Sequence, residues 1–275
     1  MAIVAMTREM GSGGRQVAQL VGQRLGLTLV RHELVERKLA RSLQVPAAVV
    51  LRRFEGGAGL RERWQVGARR LAHHMAEEIL ALAQRDNVLI RGWGACVLLR
   101  EIPHAVRVRL CAPIEQRVGR VMACRLICDR AAALRVIERN DAAHRHTLRA
   151  AFAVDREDPL LYDLVLNTAR ISIEACAGLV CDLAESRGFR ATEASQAILR
   201  DRALEARIRT GLYERFTAGT GVAGVVVTAR GGRVFLGGVA IHPTLARDAG
   251  ALVSTIPGAE AVVNRIEVVR GPRGL

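Results

Sequence analysis

Gly11-Ser12-Gly13-Gly14-Arg15-Gln16 follows shortly after the apolar run Ile3-Val4-Ala5-Met6. Val17, Leu20, Val21 and Leu25 then recur on one helical face until Gly26 stops the pattern. A strand that delivers glycines into the start of a helix creates a nest of backbone N–H groups at the positive end of the helix dipole, which suits a polyphosphate. The usual phosphate loop, GxxxxGK[ST], is absent. Arg8 stands where its first glycine belongs, and Gly14 or Arg15 where its lysine belongs. The chain has one lysine, Lys38, so any cation that the loop itself supplies is Arg15, whose guanidinium can hold phosphate bidentately. Taken alone, such a glycine cluster reads equally as a surface turn.

A second group of candidate cations lies in residues 113–152, an amphipathic stretch that holds Arg117, Arg120, Arg125, Arg130, Arg135, Arg139, Arg145 and Arg149. It would suit a mobile helical lid, although arginines on a solvated helix face are the plainer reading. The elements that must position these groups alternate. Short apolar runs at 3–6, 27–30, 88–90, 106–110 and 164–166 predict strands, separated by helical stretches at 33–53, interrupted by Pro46, and at 61–84. The runs are continuous rather than alternating, as in parallel strands covered on both faces, which predicts a three-layer α/β fold.

The segment 7–18, Thr-Arg-Glu-Met-Gly-Ser-Gly-Gly-Arg-Gln-Val-Ala, resembles the opening of the cytidylate-kinase-like family, whose loop also lacks the Walker lysine. Three further segments agree in order: His32-Glu33-Leu34-Val35, Gly92-Trp93-Gly94-Ala95, and Asp158-Pro159 through Tyr162-Asp163-Leu164-Val165-Leu166-Asn167-Thr168. The resemblance covers residues 3–185. It implies a P-loop kinase-like domain over 1–190 that transfers a phosphoryl group from ATP to CMP, dCMP or a related acceptor. Gly11, Ser12, Gly13, Gly14, Arg15 and Gln16 would then cradle the ATP phosphates, and Arg15, Arg139 and Arg145 would neutralise the transferring group. Two departures fall on the acceptor side: Trp93 replaces the family's arginine in G-R-G-A, and Arg31 replaces an aspartate. Arg91 can compensate only if its strand extends that far, so the acceptor set reads Arg31, Arg91, Gly92 and Trp93. Mg2+ is implied with ATP, but its ligands stay unassigned; Ser12 offers the nearest hydroxyl.

Beyond residue 195 the pattern becomes α-β-β-α-β: a helix at 195–216, strands at 222–228 and 233–240 around Gly231-Gly232, a helix at 245–256 and a strand at 261–269. Asp201 to Leu204, Arg233-Val234-Phe235-Leu236-Gly237-Gly238-Val239, and Pro257-Gly258-Ala259-Glu260-Ala261-Val262-Val263-Asn264-Arg265-Ile266 resemble a BON domain, a small α+β fold assigned here to 195–275. Gly237-Gly238 suggest a bulge or close packing, and His242 a turn residue. The resemblance implies self-association or a protein partner, with an anionic membrane surface as a weaker alternative.

Composition narrows these readings. The net charge is +14, and residues 195–275 hold 11 arginines against 6 acids, a net +5. Both parts therefore favour anionic partners without choosing among them. Aromatic residues make up only 3%, which argues against a base-stacking nucleic-acid binder and predicts no specific nucleic-acid partner. The N-terminal apolar run is too short for an export signal, which predicts a cytoplasmic protein. Six scattered cysteines, Cys96, Cys111, Cys124, Cys128, Cys176 and Cys181, predict buried free thiols, with neither zinc site nor disulfide. Three functions stay open from the residues: an active nucleoside monophosphate kinase, a nucleotide-binding regulatory protein that transfers nothing, and, more weakly, a peripheral membrane adaptor whose α/β domain is only a scaffold.

Overall fold

A computed structural model describes residues 2–30, 32–55, 59, 67–92, 94–216 and 222–269. The chain divides into two compact units, Met1–Thr192 and Glu193–Leu275. In the first, strands β1 (Ile3–Arg8), β2 (Thr28–Val30), β3 (Val88–Arg91), β4 (Ala105–Cys111) and β5 (Leu164–Asn167) form a parallel sheet ordered β2-β3-β1-β4-β5. Helices α1 (Gly14–Leu25), α2 (His32–Leu43), α3 (Ala47–Glu55), α4 (Ala68–Ala83), α5 (Ala95–Leu98), α6 (Ile114–Arg125), α7 (Arg130–Phe152) and α8 (Ile173–Glu185) surround it.

Burial explains the unbroken apolar strands. Val17, Ala18 and Val21 of α1 and Cys176, Ala177 and Val180 of α8 pack on Val4, Met6, Val108 and Leu110, while α4 packs against β3 and buries Leu71, Met75 and Ile79. The result is a three-layer α/β fold. From β1 the chain crosses toward β2, and from β3 it crosses back toward β4. The carboxyl ends of β1 and β3 therefore form a topological switch point, where open α/β sheets bind ligands.

Several elements differ from the sequence expectation. β1 runs on through Arg8, because Thr7 and Arg8 continue the ladder opposite Arg109 and Leu110. β3 reaches Arg91, paired with Met6. The stretch at 33–53 is two helices, because Gln44 turns with a φ of 56° and Pro46 cannot supply a helical N–H. The segment 113–152 is likewise two helices, broken at Leu126 (φ 53°) and restarted where the Asp129 carboxylate accepts hydrogen bonds from the Ala131 and Ala132 amides. Ala133 and Ile137 of α7 join Met10, Val118 and Val121 in one apolar cluster. Cys124 and Cys128 are exposed rather than buried, because α6 ends there and turns outward.

His104, just before β4, is 1% exposed, and neither ring nitrogen has a hydrogen-bond partner among the described residues. Burial holds its pKa below the ordinary 6.5, partly opposed by the attraction of Asp86. The unfolded chain therefore binds the extra proton first, and stability is lost as pH falls below about 6.5 toward the lowered folded value. Thermal denaturation between about pH 7 and about pH 5 should show a smaller drop in Tm for His104→Leu than for wild type. Equal drops would remove His104 from the acid response.

The second unit holds α9 (Glu193–Arg215), β6 (Val222–Arg230), β7 (Arg233–Ala240), α10 (Pro243–Ser254) and β8 (Ala261–Val268). β6 pairs antiparallel with β7, which pairs parallel with β8. Leu204, Ile208 and Leu212 of α9 and Ala246, Ala249 and Val253 of α10 cover one sheet face. Asp201 accepts a hydrogen bond from the Gly231 amide, tying α9 to the hairpin turn. Asn264 donates to the Ala246 carbonyl at 2.7 Å and so fastens β8 to α10. The bulge lies in β6, between Ala223 and Val226, rather than at Gly237-Gly238. His242 caps α10 by accepting from the Thr244 amide.

Candidate functional site

Glu9, the residue after β1, organises the loop from beneath. Its carboxylate accepts hydrogen bonds from Arg109 Nη2 at 3.0 Å and the Ala112 amide at 3.3 Å, and lies 3.6 Å from Arg117 Nη1. Three donors then take successive loop carbonyls. Arg117 Nε donates to Met10 O at 2.7 Å, Arg120 Nη1 to Gly11 O at 3.4 Å, and Thr168 Oγ1 to Ser12 O at 2.8 Å. With these carbonyls held against the body, the amides of Gly13, Gly14 and Arg15 have no hydrogen-bond partner among the described residues. They form the first turn of α1, where an anion is favoured.

Two glycines are required sterically. At Gly11, with a φ of 80°, a Cβ would sit 2.6 Å from the Arg117 carbonyl oxygen; at Gly14 it would sit 2.8 Å from Arg8 Cβ. The loop thus packs directly on Arg8. Arg15 and Gln16 are exposed in the first helical turn. Ser12 is fully buried, and its hydroxyl donates to Glu9 O at 2.8 Å.

Beside the loop, a cavity of about 180 Å3 opens at the carboxyl ends of β1 and β3. Arg8, Arg91, Arg125 and Arg156 line it, together with Glu36. Arg156 is 6% exposed, donates to Arg8 O at 2.6 Å, and lies 3.7 Å from Asp141. The Arg8 guanidinium makes no hydrogen bond or ion pair with any described residue. Burial, and then the like charges of Arg91, Arg156, Arg125 and Arg15, push its pKa down to about 10. It remains a cation at neutral pH, crowded by other cations, and a bound anion would relieve it. Apolar Met10, Leu51, Met75 and Val97 complete the wall. The Cys96 thiol also lines the cavity, but burial raises its pKa to about 12, so it stays protonated and unreactive.

The structure brings Arg91 and Gly92 to the cavity, with Gly11 to Gln16 beside it. Arg31 and Trp93 lie outside the described residues. Arg139 is exposed and Arg145 pairs with Glu157 at the surface, 3.3 Å away; neither lines the cavity. Sequence reasoning missed Arg8 and Arg156 as site cations and named Arg125 only as one of the arginines of 113–152. For Arg8 and Arg156 a signal existed, because each adjoins a matched segment: Arg8 in Thr7-Arg8-Glu9, and Arg156 just before Asp158-Pro159. Nothing in the spacing marks Arg125 above the other arginines of 113–152.

The described residues do not fit a protein-held magnesium ion. Ser12 is committed to Glu9 O, Glu9 to Arg109 and Arg117, and no cluster of three metal-ligating side chains occurs among the described residues. No described helix is long and apolar enough to cross a membrane.

Comparison with known proteins agrees with this geometry. The model of the cytidylate kinase-like family matches residues 3–170, and that of the BON domain matches residues 200–270. A cytidylate kinase of Sulfolobus acidocaldarius is 22% identical over 170 residues, covering 62% of this chain and 87% of its own. Among solved structures, an uncharacterized protein from Eubacterium ventriosum superposes with a TM-score of 0.53 at 17% identity, covering 68% of this chain and 100% of that one. Shikimate kinase from Acinetobacter baumannii reaches a TM-score of 0.40 at 14% identity, over 69% of this chain and 96% of its own, too low to carry an argument. Within the segment Asp158 to Thr168, Thr168 Oγ1 donates to Ser12 O, Tyr162 Oη donates to Arg156 O, and Asp163 accepts from Nε and Nη2 of Arg107. By its matched model and its loop architecture, the chain belongs to the cytidylate kinase-like family over residues 3–170 and carries a BON domain over residues 200–270.

Proposed function

We propose that the first unit transfers a phosphoryl group from ATP to a nucleoside monophosphate, with CMP or dCMP as acceptor. The observation that carries this reading is Arg8, an unpaired guanidinium between the amides that start α1 and an arginine-lined cavity. A donor phosphate on one side and an acceptor phosphate on the other would both abut it. The unpartnered amides of Gly13, Gly14 and Arg15 bind and orient the ATP phosphates. Arg91, Arg125 and Arg156 hold the acceptor phosphate, and Arg8 bridges the two. Phosphoryl transfer depends on such positioning and charge neutralisation. A phosphate monoester, with its second pKa near about 6, is already a nucleophile at neutral pH, so this chemistry needs no protein base. Cytosine is favoured by the family and the Sulfolobus relative.

The test is a coupled assay with ATP and each nucleoside monophosphate in turn, alongside direct ATP binding. CMP or dCMP should turn over faster than AMP or UMP. Arg15→Ala should weaken ATP binding by only about 1 kcal/mol, because its exposed charge is screened. ATP binding without turnover of any monophosphate would replace the kinase reading with that of a nucleotide-binding regulatory protein.

A further inference from the structure

The cavity has a wall that the phosphate does not need. Asn140, His144 and Thr147 of α7 all line it. They stand at positions i, i+4 and i+7, on one face of the helix. Thr147 is 3% exposed, yet its hydroxyl has no hydrogen-bond partner among the described residues. Helical threonines commonly turn back to the carbonyl one turn earlier, as Thr210 does to Ala206 at 3.0 Å. Thr147 does not. The Asn140 amide also has no partner among the described residues. The arginines come from β1, β3, α6 and the segment after α7. Asn140 and Thr147 are interleaved with apolar Leu148 and accompanied in the lining by Met75 and Leu51; of the other uncharged polar residues there, Thr7 belongs to β1, and Tyr162, which precedes β5, already donates to Arg156 O.

We infer that Asn140 and Thr147 read the uncharged heterocycle of the acceptor by hydrogen bonds, and so set which base is accepted. This rests on the monophosphate reading above. The apolar residues cover the faces of a planar ring, while a hydroxyl and an amide, each able to donate and accept, meet its polar edge. Buried polar groups left unpaired without ligand discriminate strongly, because only a ligand that pairs them removes their cost. Sequence reasoning passed over both residues, since neither is charged.

The experiment measures the affinities of CMP and of ribose 5-phosphate, which shares the phosphate but lacks the base, by calorimetry on the full chain. Thr147→Val should weaken CMP binding about tenfold and leave ribose 5-phosphate unchanged. Thr147→Ser should restore CMP affinity. Asn140→Leu should act like Thr147→Val, whereas Arg91→Gln should weaken both ligands. Thr147→Val should also hold or raise Tm, because an unpaired buried hydroxyl has been removed, so a loss of affinity cannot be misread as a loss of fold. Equal CMP affinity in wild type and Thr147→Val, or equal losses for the two ligands, would overturn the inference. Intact base discrimination without phosphoryl transfer would instead overturn the kinase reading alone.

Discussion

An Arg8→Gln variant should fold normally and lose kcat/KM for phosphoryl transfer by about a hundredfold to a thousandfold, the range for deleting one preorganised charge at a developing anion. Glutamine keeps the Cβ and Cδ positions against which Gly14 packs, so the loop keeps its support. Removing a cation crowded by Arg91, Arg156 and Arg125 should leave Tm of the free protein unchanged or raised. Added phosphate should raise Tm more in wild type than in the variant, since the anion relieves a repulsion that the variant no longer has. Wild-type affinity for the monophosphate should fall as pH rises through about 10, where free Arg8 loses its proton. The variant should lack that step. Wild-type turnover in Arg8→Gln would remove Arg8 from the site.

The second large effect concerns Glu205, which is 2% exposed in α9. Its carboxylate accepts the Ala229 amide of β6 at 2.9 Å and pairs with Arg202 and Arg209 at 2.8 and 3.1 Å. Both arginines are partly exposed, so the ion pairs contribute little, and the buried amide dominates. Glu205→Ala should lower the stability of the second unit by about 2–3 kcal/mol, through a lost charge-assisted bond and an unpaired N–H. The division between the units supplies the assay. We propose that residues 193–275 fold alone, because a three-stranded sheet with two covering helices is sufficient for independent stability. Trypsin should cut first at Arg187 or Arg190, both exposed before α9. Circular dichroism of the fragment should show a cooperative melt, which Glu205→Ala shifts down or abolishes. Light scattering on the same fragment would report whether it self-associates. An unfolded wild-type fragment would join it to the first unit, and an unchanged melt in Glu205→Ala would make the buried carboxylate dispensable.

Local pattern was enough for the elements. Strand runs of Val, Leu and Ile, glycines at Gly11 to Gly14, and the Gly231-Gly232 hairpin depend on neighbours in the chain, so they are legible residue by residue. The α-β-β-α-β order of the second unit and the matched segments of the first are of this kind. So is the glycine loop as the start of a helix whose free amides suit an anion, because those amides belong to the helix it opens.

Which arginines line the cavity was decided only by tertiary structure. Of the many in residues 113–152, Arg117 and Arg120 turn under the loop as struts, Arg125 reaches the cavity, and Arg145 pairs at the surface. Their spacing in sequence is alike, and their roles differ because α6 and α7 meet the sheet at different places. Arg8 and Arg156 are 148 residues apart, yet they meet because β1 and the chain leading to β5 flank the same end of β4. Thr147 shows the limit most clearly. A threonine within a helix gives no sign from its neighbours that its hydroxyl will be buried beside a cavity with nothing to bond, because that depends on what α3, α4 and β3 bring to the other side.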